Sequence, residues 1–332
     1  MDSLGVAVPA FLASALIVVL AGIALAKYGD ELAEKTGWGA LWVGTVLVSV
    51  ATSLPELITN LSAVVIEDSP DLALGNVFGA DMMNMFTIAI VALIFGVHNL
   101  FGSQRRDTKT LVLVAVGLGI IAFVFGATGD RAIGVTSAGG IVIAVAYFGG
   151  MKLVYDAGKS DPGDQADDAG DGERESARGA WIGFGLASLA IIASAPLLAA
   201  SAGGIAAATS LGESFVGILA VSIVTTLPEA TVTITAARRK SYGLVLGNIY
   251  GSCAFNLFVI PIADLGNSEA LLSQMESEHF VAAGSAIVLM AFGYLMIRAY
   301  QDRLLAWGRG AVYLVPILYP ASLAWVFVLS GD

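Results

Sequence analysis

Two glutamates stand where a carboxylate is hard to keep. Glu56 ends the run Ala51–Glu56 (ATSLPE) and Glu229 ends Val224–Glu229 (VTTLPE), and each follows a proline inside a long apolar stretch. Charged side chains within a bilayer are expensive and mark ion or proton pathways. Proline has no N–H for the carbonyl four residues back, and its ring crowds that turn. The sequence therefore predicts a broken or kinked helix at Pro55 and at Pro228. The carbonyls freed around Ala51–Thr52 and Val224–Thr225 are tolerable in lipid only where they line a cavity or bind something. Two carboxylates match the charge of one Ca²⁺, and the same pair could instead hold Na⁺ ions or protons. Competition for shared ligands is then the natural coupling mechanism. A doubly negative empty site resists moving through a membrane, which favours exchange over leak.

Polar residues at helical spacing accompany each glutamate. Asn76, Ala80 and Asn84 share one helix face, as do Asn248, Ser252 and Asn256. The pairs Gly75/Gly79 and Gly247/Gly251 would let a neighbouring helix approach closely. With the hydroxyls of Ser53, Thr225, Thr226 and Ser252, these residues make an all-oxygen donor set suited to hard cations such as Ca²⁺. Soft metals need sulfur or imidazole. The chain has one cysteine, Cys253, and its two histidines, His98 and His279, form no ligand-spaced cluster. No resident cofactor, disulfide framework or enzymatic nucleophile–base pair is expected.

The same elements occur twice. Gly44–Leu57 (GTVLVSVATSLPEL) and Gly217–Ala230 (GILAVSIVTTLPEA) agree at seven of fourteen positions. Gly75–Phe86 (GNVFGADMMNMF) and Gly247–Phe258 (GNIYGSCAFNLF) agree at five of twelve. The offsets, 173 and 172 residues, keep the two matches in the same order. Apolar runs long enough to span a bilayer fall near 6–27, 38–66, 71–96, 108–127, 131–154, 179–206, 214–237, 242–264, 279–299 and 310–330. The predicted fold is all-α and integral to the membrane, with ten transmembrane helices in two inverted five-helix repeats and proline-broken helices at mid-membrane. An odd number of spans per half makes the second copy enter from the opposite side, an arrangement common among secondary transporters. The expected units are a first half over 1–155, an acidic linker over 156–178 and a second half over 179–332. The N-terminal apolar run reads as a retained span, not a signal peptide.

Composition agrees with lipid as the solvent. Of 332 residues, 57% are hydrophobic and 13% charged, well below the share of charge in soluble domains. The formal net charge of −11 leaves no basic patch for nucleic acid. Of the sixteen basic residues, all but Arg131 flank odd-numbered loops. By the positive-inside rule, both termini then lie outside a cell membrane and the linker lies in the cytoplasm. The partners expected are the bilayer and the transported ions, with no obligatory protein partner.

These segments resemble the alpha repeats of the sodium/calcium exchanger family of calcium/cation antiporters. The family pattern, a G[TS]SLPE-like segment followed by GNxxGSNxxN/D, stands here as ATSLPE with GNVFGADMMN and as VTTLPE with GNIYGSCAFN. The resemblance implies a Ca²⁺/Na⁺ antiporter working by alternating access. It makes Glu56 and Glu229 the Ca²⁺ ligands, with backbone carbonyls from Thr52 and Thr225. Asn84 and Asn256 would take the central position, and Ser49, Ser53, Ser222, Thr226 and Ser252 would line Na⁺ sites. The first and sixth spans would be sliding gate helices. The chain departs from the pattern at three places. Asn256 stands where many exchangers carry aspartate, Ala80 where a serine is usual, and Asp81 where asparagine is common. Fewer Na⁺ ligands leave a Ca²⁺/H⁺ antiporter on the same scaffold as the alternative. A passive cation channel is the reading from another class, and proline-broken inverted repeats argue against it. Asp81 reads equally as a compensating charge near the site or as an acid at a polar helix interface.

Overall fold

A computed structural model describes residues 4–66, 69–102, 104–159, 177–208, 223–265, 267 and 269–329. The described chain is almost wholly helical. Its main helices are α1 (Leu4–Thr36), α2 (Ala40–Val65), α3 (Pro70–Phe95), α4 (Arg106–Thr128), α5 (Ala138–Lys159) and α6 (Arg178–Ala208). They continue as α7 (Leu227–Arg238), α8 (Tyr242–Asp264), α9 (Ser277–Gln301) and α10 (Ala311–Leu329). Among the described residues, nine helices are long and apolar enough to cross a membrane. The expected seventh span, 214–237, falls partly outside them.

Helix α8 is the axis of the molecule. Its residues from Leu244 to Leu257 are all buried, and it packs on α2, α3, α4, α5 and α7. Small residues make this possible. A Cβ on Gly247 would lie 2.9 Å from the Thr45 nitrogen and 3.0 Å from Gly44 Cα, and one on Gly251 2.9 Å from Thr45 Cα. The GxxxG spacing thus sets α8 directly against the backbone of α2. Register along this contact rises in step, Gly243 on Ala40, Gly247 on Gly44 and Gly251 on Ser49. The two helices therefore run parallel. Since α3 returns antiparallel after α2, α8 and its sequence counterpart α3 cross in opposite senses. The repeats are inverted.

Contacts between loops sort them onto two faces. Arg239 pairs with Asp30 at 2.9 Å, and Gln301 donates to the Gln104 carbonyl at 2.8 Å. Trp38, Arg105, Lys159 and Lys240 line one shared cavity on that face. On the opposite face His279 meets the Asp71 carbonyl at 3.2 Å, and Ser137 donates to Asp264 at 2.5 Å. Among the described residues, the first, third, seventh and ninth connections gather with Lys159 at one end of the bundle, and the second, fourth and eighth at the other.

Helices α1 and α6 pack antiparallel along the side of this core. Trp38 meets Trp181 edge-on at 6.0 Å, while Val18 packs on Leu198 far along the same pair. Leu12, Leu16 and Leu20, four residues apart, are 62%, 59% and 58% exposed, a stripe suited to lipid.

Three sequence expectations shift. The first span continues to Thr36, carried past the apolar run by polar turns including the Lys27–Glu31 pair. The fifth helix starts at Ala138, not 131, because Ala132–Ile133 (β1) pairs with Thr136–Ser137 (β2). Asp130 accepts the Gly139 N–H at 2.8 Å and so holds the start of α5. The two prolines also behave differently. In the second repeat the helical run ends in a turn at Thr226, and Pro228 sits in the first turn of α7, where its missing N–H does no harm. In the first repeat α2 passes through Pro55 and places its irregularity earlier, as a π-helical turn over Gly44–Val48. That turn lies where the glycines of α8 press on α2, and π turns are frequent at functional sites.

Candidate ion-binding site

The inverted repeats bring both Leu-Pro-Glu segments to one place in the core. Glu56, on α2, and Glu229, in the first turn of α7, are each 1% exposed. Ser53 donates to Glu229 Oε1 at 3.0 Å, so the first repeat supplies a hydroxyl to the carboxylate of the second. In return the Thr225 hydroxyl, from the second repeat, faces the Glu56 carboxylate. Both oxygens of Glu56 and Oε2 of Glu229 complete no hydrogen bond among the described residues. Buried polar atoms in native proteins are almost always satisfied, so such atoms need an explanation. No Lys or Arg stands near them on their own helices except Arg238, at the far end of α7.

The asparagine stripes brace these glutamates. Asn76 donates to Asn60 Oδ1 at 2.8 Å, and Asn248 donates to Thr233 Oγ1 at 3.1 Å. Asn60 and Thr233 each lie four residues after a site glutamate. Their spacing of 173 residues is that of the Leu-Pro-Glu repeat. Asn248 also donates to the Glu229 carbonyl at 3.3 Å and accepts from Thr52 at 3.3 Å. Thr52 shares that one hydroxyl hydrogen with the Ser49 carbonyl, 3.1 Å away, and Ser49 donates to the Thr45 carbonyl. One network therefore ties α2, α7 and α8 around the two acids.

A second layer lies between α3 and α8. Asn256 donates to Asp81 Oδ1 at 3.1 Å, and the Cys253 thiol faces both Asp81 and Asn84. Asn84, Ser252, Asp81 and Asn256 are all at most 1% exposed. Both polar atoms of the Asn84 side chain, Ser252 Oγ, Asp81 Oδ2 and Asn256 Oδ1 have no hydrogen-bond partner among the described residues. Thr226 donates to the Ile223 carbonyl at 3.4 Å.

The structure thus brings Glu56, Glu229, Thr52, Thr225, Ser49 and Ser53 into one buried cluster, with Asn84, Asn256 and Ser252 beside it on α3 and α8. Thr226 lies at the helix break, and Ser222 falls outside the described residues. Sequence reasoning passed over Asn60 and Thr233. The shared offset, one helical turn beyond each glutamate, was the signal that could have found them. As a chemical surface the cluster offers carboxylates, amide oxygens and hydroxyls. Such an all-oxygen set, short of internal partners, fits a dehydrated hard cation.

The comparison with known proteins agrees with this geometry. The family model described as sodium/calcium exchanger protein matches residues 6–154 and 179–328. The inner membrane protein YrbG of Escherichia coli is 27% identical over 75% of this chain and 78% of its own. The sodium/calcium exchanger MaX1 of Methanosarcina acetivorans is 24% identical over 70% of this chain and 75% of its own. The solved structure of the sodium-calcium exchanger NCX_Mj, soaked with Na⁺ and without Ca²⁺, superposes with a TM-score of 0.72 at 21% identity, covering 96% of this chain and 98% of that one. At that identity the superposition shows the fold alone. With two matched segments that take in most of its length, this chain belongs to the sodium/calcium exchanger family.

Proposed function

We propose that this protein is a secondary active antiporter that exchanges Ca²⁺ for Na⁺ by alternating access, with Glu56 and Glu229 as the carboxylates the ions compete for. The observation that carries this reading is the pair itself. Two acids from opposite repeats lie buried in one network, joined through Ser53 and faced by Thr225, and three of their four oxygens complete no hydrogen bond among the described residues. Charge of that kind persists in a membrane only where a cation visits it. Thr52 and Thr225 complete the Ca²⁺ ligand set, Asn84 and Asn256 occupy the centre, and Ser49, Ser53, Ser222, Thr226 and Ser252 line the Na⁺ positions. A relative that carries the name sodium/calcium exchanger supports the choice of ions.

The two halves, 1–155 and 179–332, act as the units that exchange access, with α1 and α6 sliding past the core. Their surfaces suit that role, because α1 meets the core through small residues such as Gly22 against Thr231. The face that gathers Arg239, Lys240, Arg105 and Lys159 is cytoplasmic, which puts both termini outside and the linker within. A relative described as an inner membrane protein fits a cell-membrane location.

The test is uptake of radiolabelled Ca²⁺ into proteoliposomes, with and without an outward Na⁺ gradient, for wild type and Glu56→Gln. Uptake that needs Na⁺ and disappears in the variant is the expected result. Uptake driven by a pH gradient instead would move the assignment to Ca²⁺/H⁺ exchange. Flux that needs no counter-ion would indicate a channel. A variant as active as wild type would remove Glu56 from the site.

A further inference from the structure

Asp81, on α3, is a fully buried acid hydrogen-bonded to Asn256 of α8, and its surroundings are specific. Asp81 and Asn84 lie three residues apart on α3, and Cys253 and Asn256 three apart on α8. At the repeat offset of 172, Asp81 corresponds to Cys253 and Asn84 to Asn256. The four side chains therefore form two contacts related by the inversion, Asp81 with Asn256 and Cys253 with Asn84. One of the two carries a carboxylate and the other none.

A purely structural tie would look different. Two amides could bridge α3 and α8 with no charge to bury, whereas an isolated buried carboxylate is costly. Helices α3 and α8 contain no Lys or Arg, and the ion pairs Lys27–Glu31, Arg239–Asp30 and Arg298–Asp302 lie at the bundle ends. The positive partner has to come from elsewhere. Asp81 Oδ2, Asn256 Oδ1 and the whole Asn84 amide complete no hydrogen bond among the described residues. A proton needs one acceptor. Three side-chain oxygens gathered here with no hydrogen bond of their own, Asp81 Oδ2, Asn84 Oδ1 and Asn256 Oδ1, suit the shell of a hard cation, and soft-metal chemistry would need more than the one thiol.

We infer that Asp81 supplies a third carboxylate to the transport site and holds one Na⁺ together with the amide oxygens of Asn84 and Asn256. The inference rests on the exchanger reading proposed above and deepens it. Glu56 and Glu229 neutralise one Ca²⁺ or two monovalent ions. A third carboxylate lets the site take one more monovalent ion than the glutamates can balance, so the exchange moves net charge.

Thermal unfolding of the detergent-solubilised full-length protein, titrated with NaCl at constant ionic strength, tests this without transport. The variants are Asp81→Asn and the swap Asp81→Asn with Asn256→Asp, which moves the carboxylate to the other end of the same hydrogen bond. The Na⁺ dependence of stability counts ions bound to the folded state. Asp81→Asn should make that dependence shallower by about one Na⁺, and the swap should restore it. Equal steepness in wild type and Asp81→Asn would overturn the inference, as would a wild type insensitive to Na⁺. A loss that the swap does not restore would also overturn it, by making Asp81 a structural residue. A parallel Ca²⁺ titration separates the two claims. If Ca²⁺ fails to stabilise wild type, the Ca²⁺ assignment falls while the Na⁺ series still decides Asp81.

Discussion

Ser53 Oγ stands 3.0 Å from Glu229 Oε1, a hydrogen bond that joins a residue three before one site glutamate to the glutamate of the other repeat. Its counterpart by the 173-residue offset, Thr226, sits at the helix break and is engaged with the Ile223 carbonyl instead. The site is therefore pseudo-symmetric in sequence and asymmetric in its hydrogen bonds. The asymmetry follows from the backbone, since the second repeat breaks at its proline and the first does not.

That bond gives Ser53 a direct hold on a site carboxylate. Hydrogen bonds to charged groups contribute about 1.5–3 kcal/mol, so Ser53→Ala should weaken apparent Ca²⁺ affinity by roughly 10- to 100-fold. Ser53→Thr keeps the donor and should retain most of the affinity. Concentration dependence of Ca²⁺ uptake measures both. Equal affinities in Ser53→Ala and wild type would show that the bond does nothing for ion binding.

The braces behind the glutamates act on stability before they act on transport. Asn60→Ala leaves the buried Asn76 amide without its acceptor, and Thr233→Ala does the same to one donor of Asn248. Leaving a buried donor unpaired costs about 1–3 kcal/mol. Both variants should unfold at lower temperature, and Thr233→Ala should also lower Ca²⁺ affinity, because Asn248 additionally holds the Glu229 carbonyl. Thermal unfolding in detergent with and without Ca²⁺ separates the two effects.

Much of this was legible from residue types. Glu56 and Glu229 announce themselves because carboxylates are rare in apolar spans, and their neighbours follow at helical spacing. Inversion of the repeats follows from an odd number of spans in each half, and α2 and α8 running parallel agrees with it. What the sequence left undetermined are choices between competing contacts. Pro55 reads as a break or kink, yet the helical assignment of α2 continues through it, and the π-helical turn falls on Gly44–Val48, against the glycines of α8. Residues 131–137 are apolar enough to extend a span, but the Ala132–Thr136 hairpin and Asp130 fix the helix start at Ala138. The orientation of Asp81 was undecidable, because a helical wheel places it near both the site and a neighbouring helix. Only the packing of α3 on α8 turns it to Asn256.

The pair Asp30–Arg239 ties the end of α1 to the end of α7 at 2.9 Å, with side chains 27% and 39% exposed. Partly exposed pairs of this kind contribute about 0–1 kcal/mol. Asp30→Asn should therefore shift the unfolding temperature little. If α1 slides past α7 during transport, the same change should alter turnover while leaving Ca²⁺ affinity as it was, and high salt should mimic it in wild type. Initial uptake rates at saturating Ca²⁺, in low and high salt, read the difference. A variant with weakened affinity and unchanged turnover would place the pair in the site's support and not in its motion.

The glycine contact of α8 with α2 gives the sharpest contrast. A Cβ at Gly251 would fall 2.9 Å from Thr45 Cα and 2.8 Å from Ser49 Oγ. Backbone atoms cannot swing aside as a flexible side chain can. Gly251→Ala must push α8 away from α2, and overpacking of this kind costs about 1–3 kcal/mol. The displacement also moves Asn248, one turn earlier on α8, away from Thr52 and the Glu229 carbonyl. Transport should fall further than the loss of stability alone explains. Gly185 in α6 is the control, since a Cβ there meets nothing within 4 Å, and alanine in an open helix position is favoured over glycine by up to about 1 kcal/mol. Gly185→Ala should unfold at the wild-type temperature or slightly above and transport normally. Should Gly251→Ala do the same, α8 would not be held against α2 by its glycines, and the cluster around Glu229 would owe its geometry to some other contact.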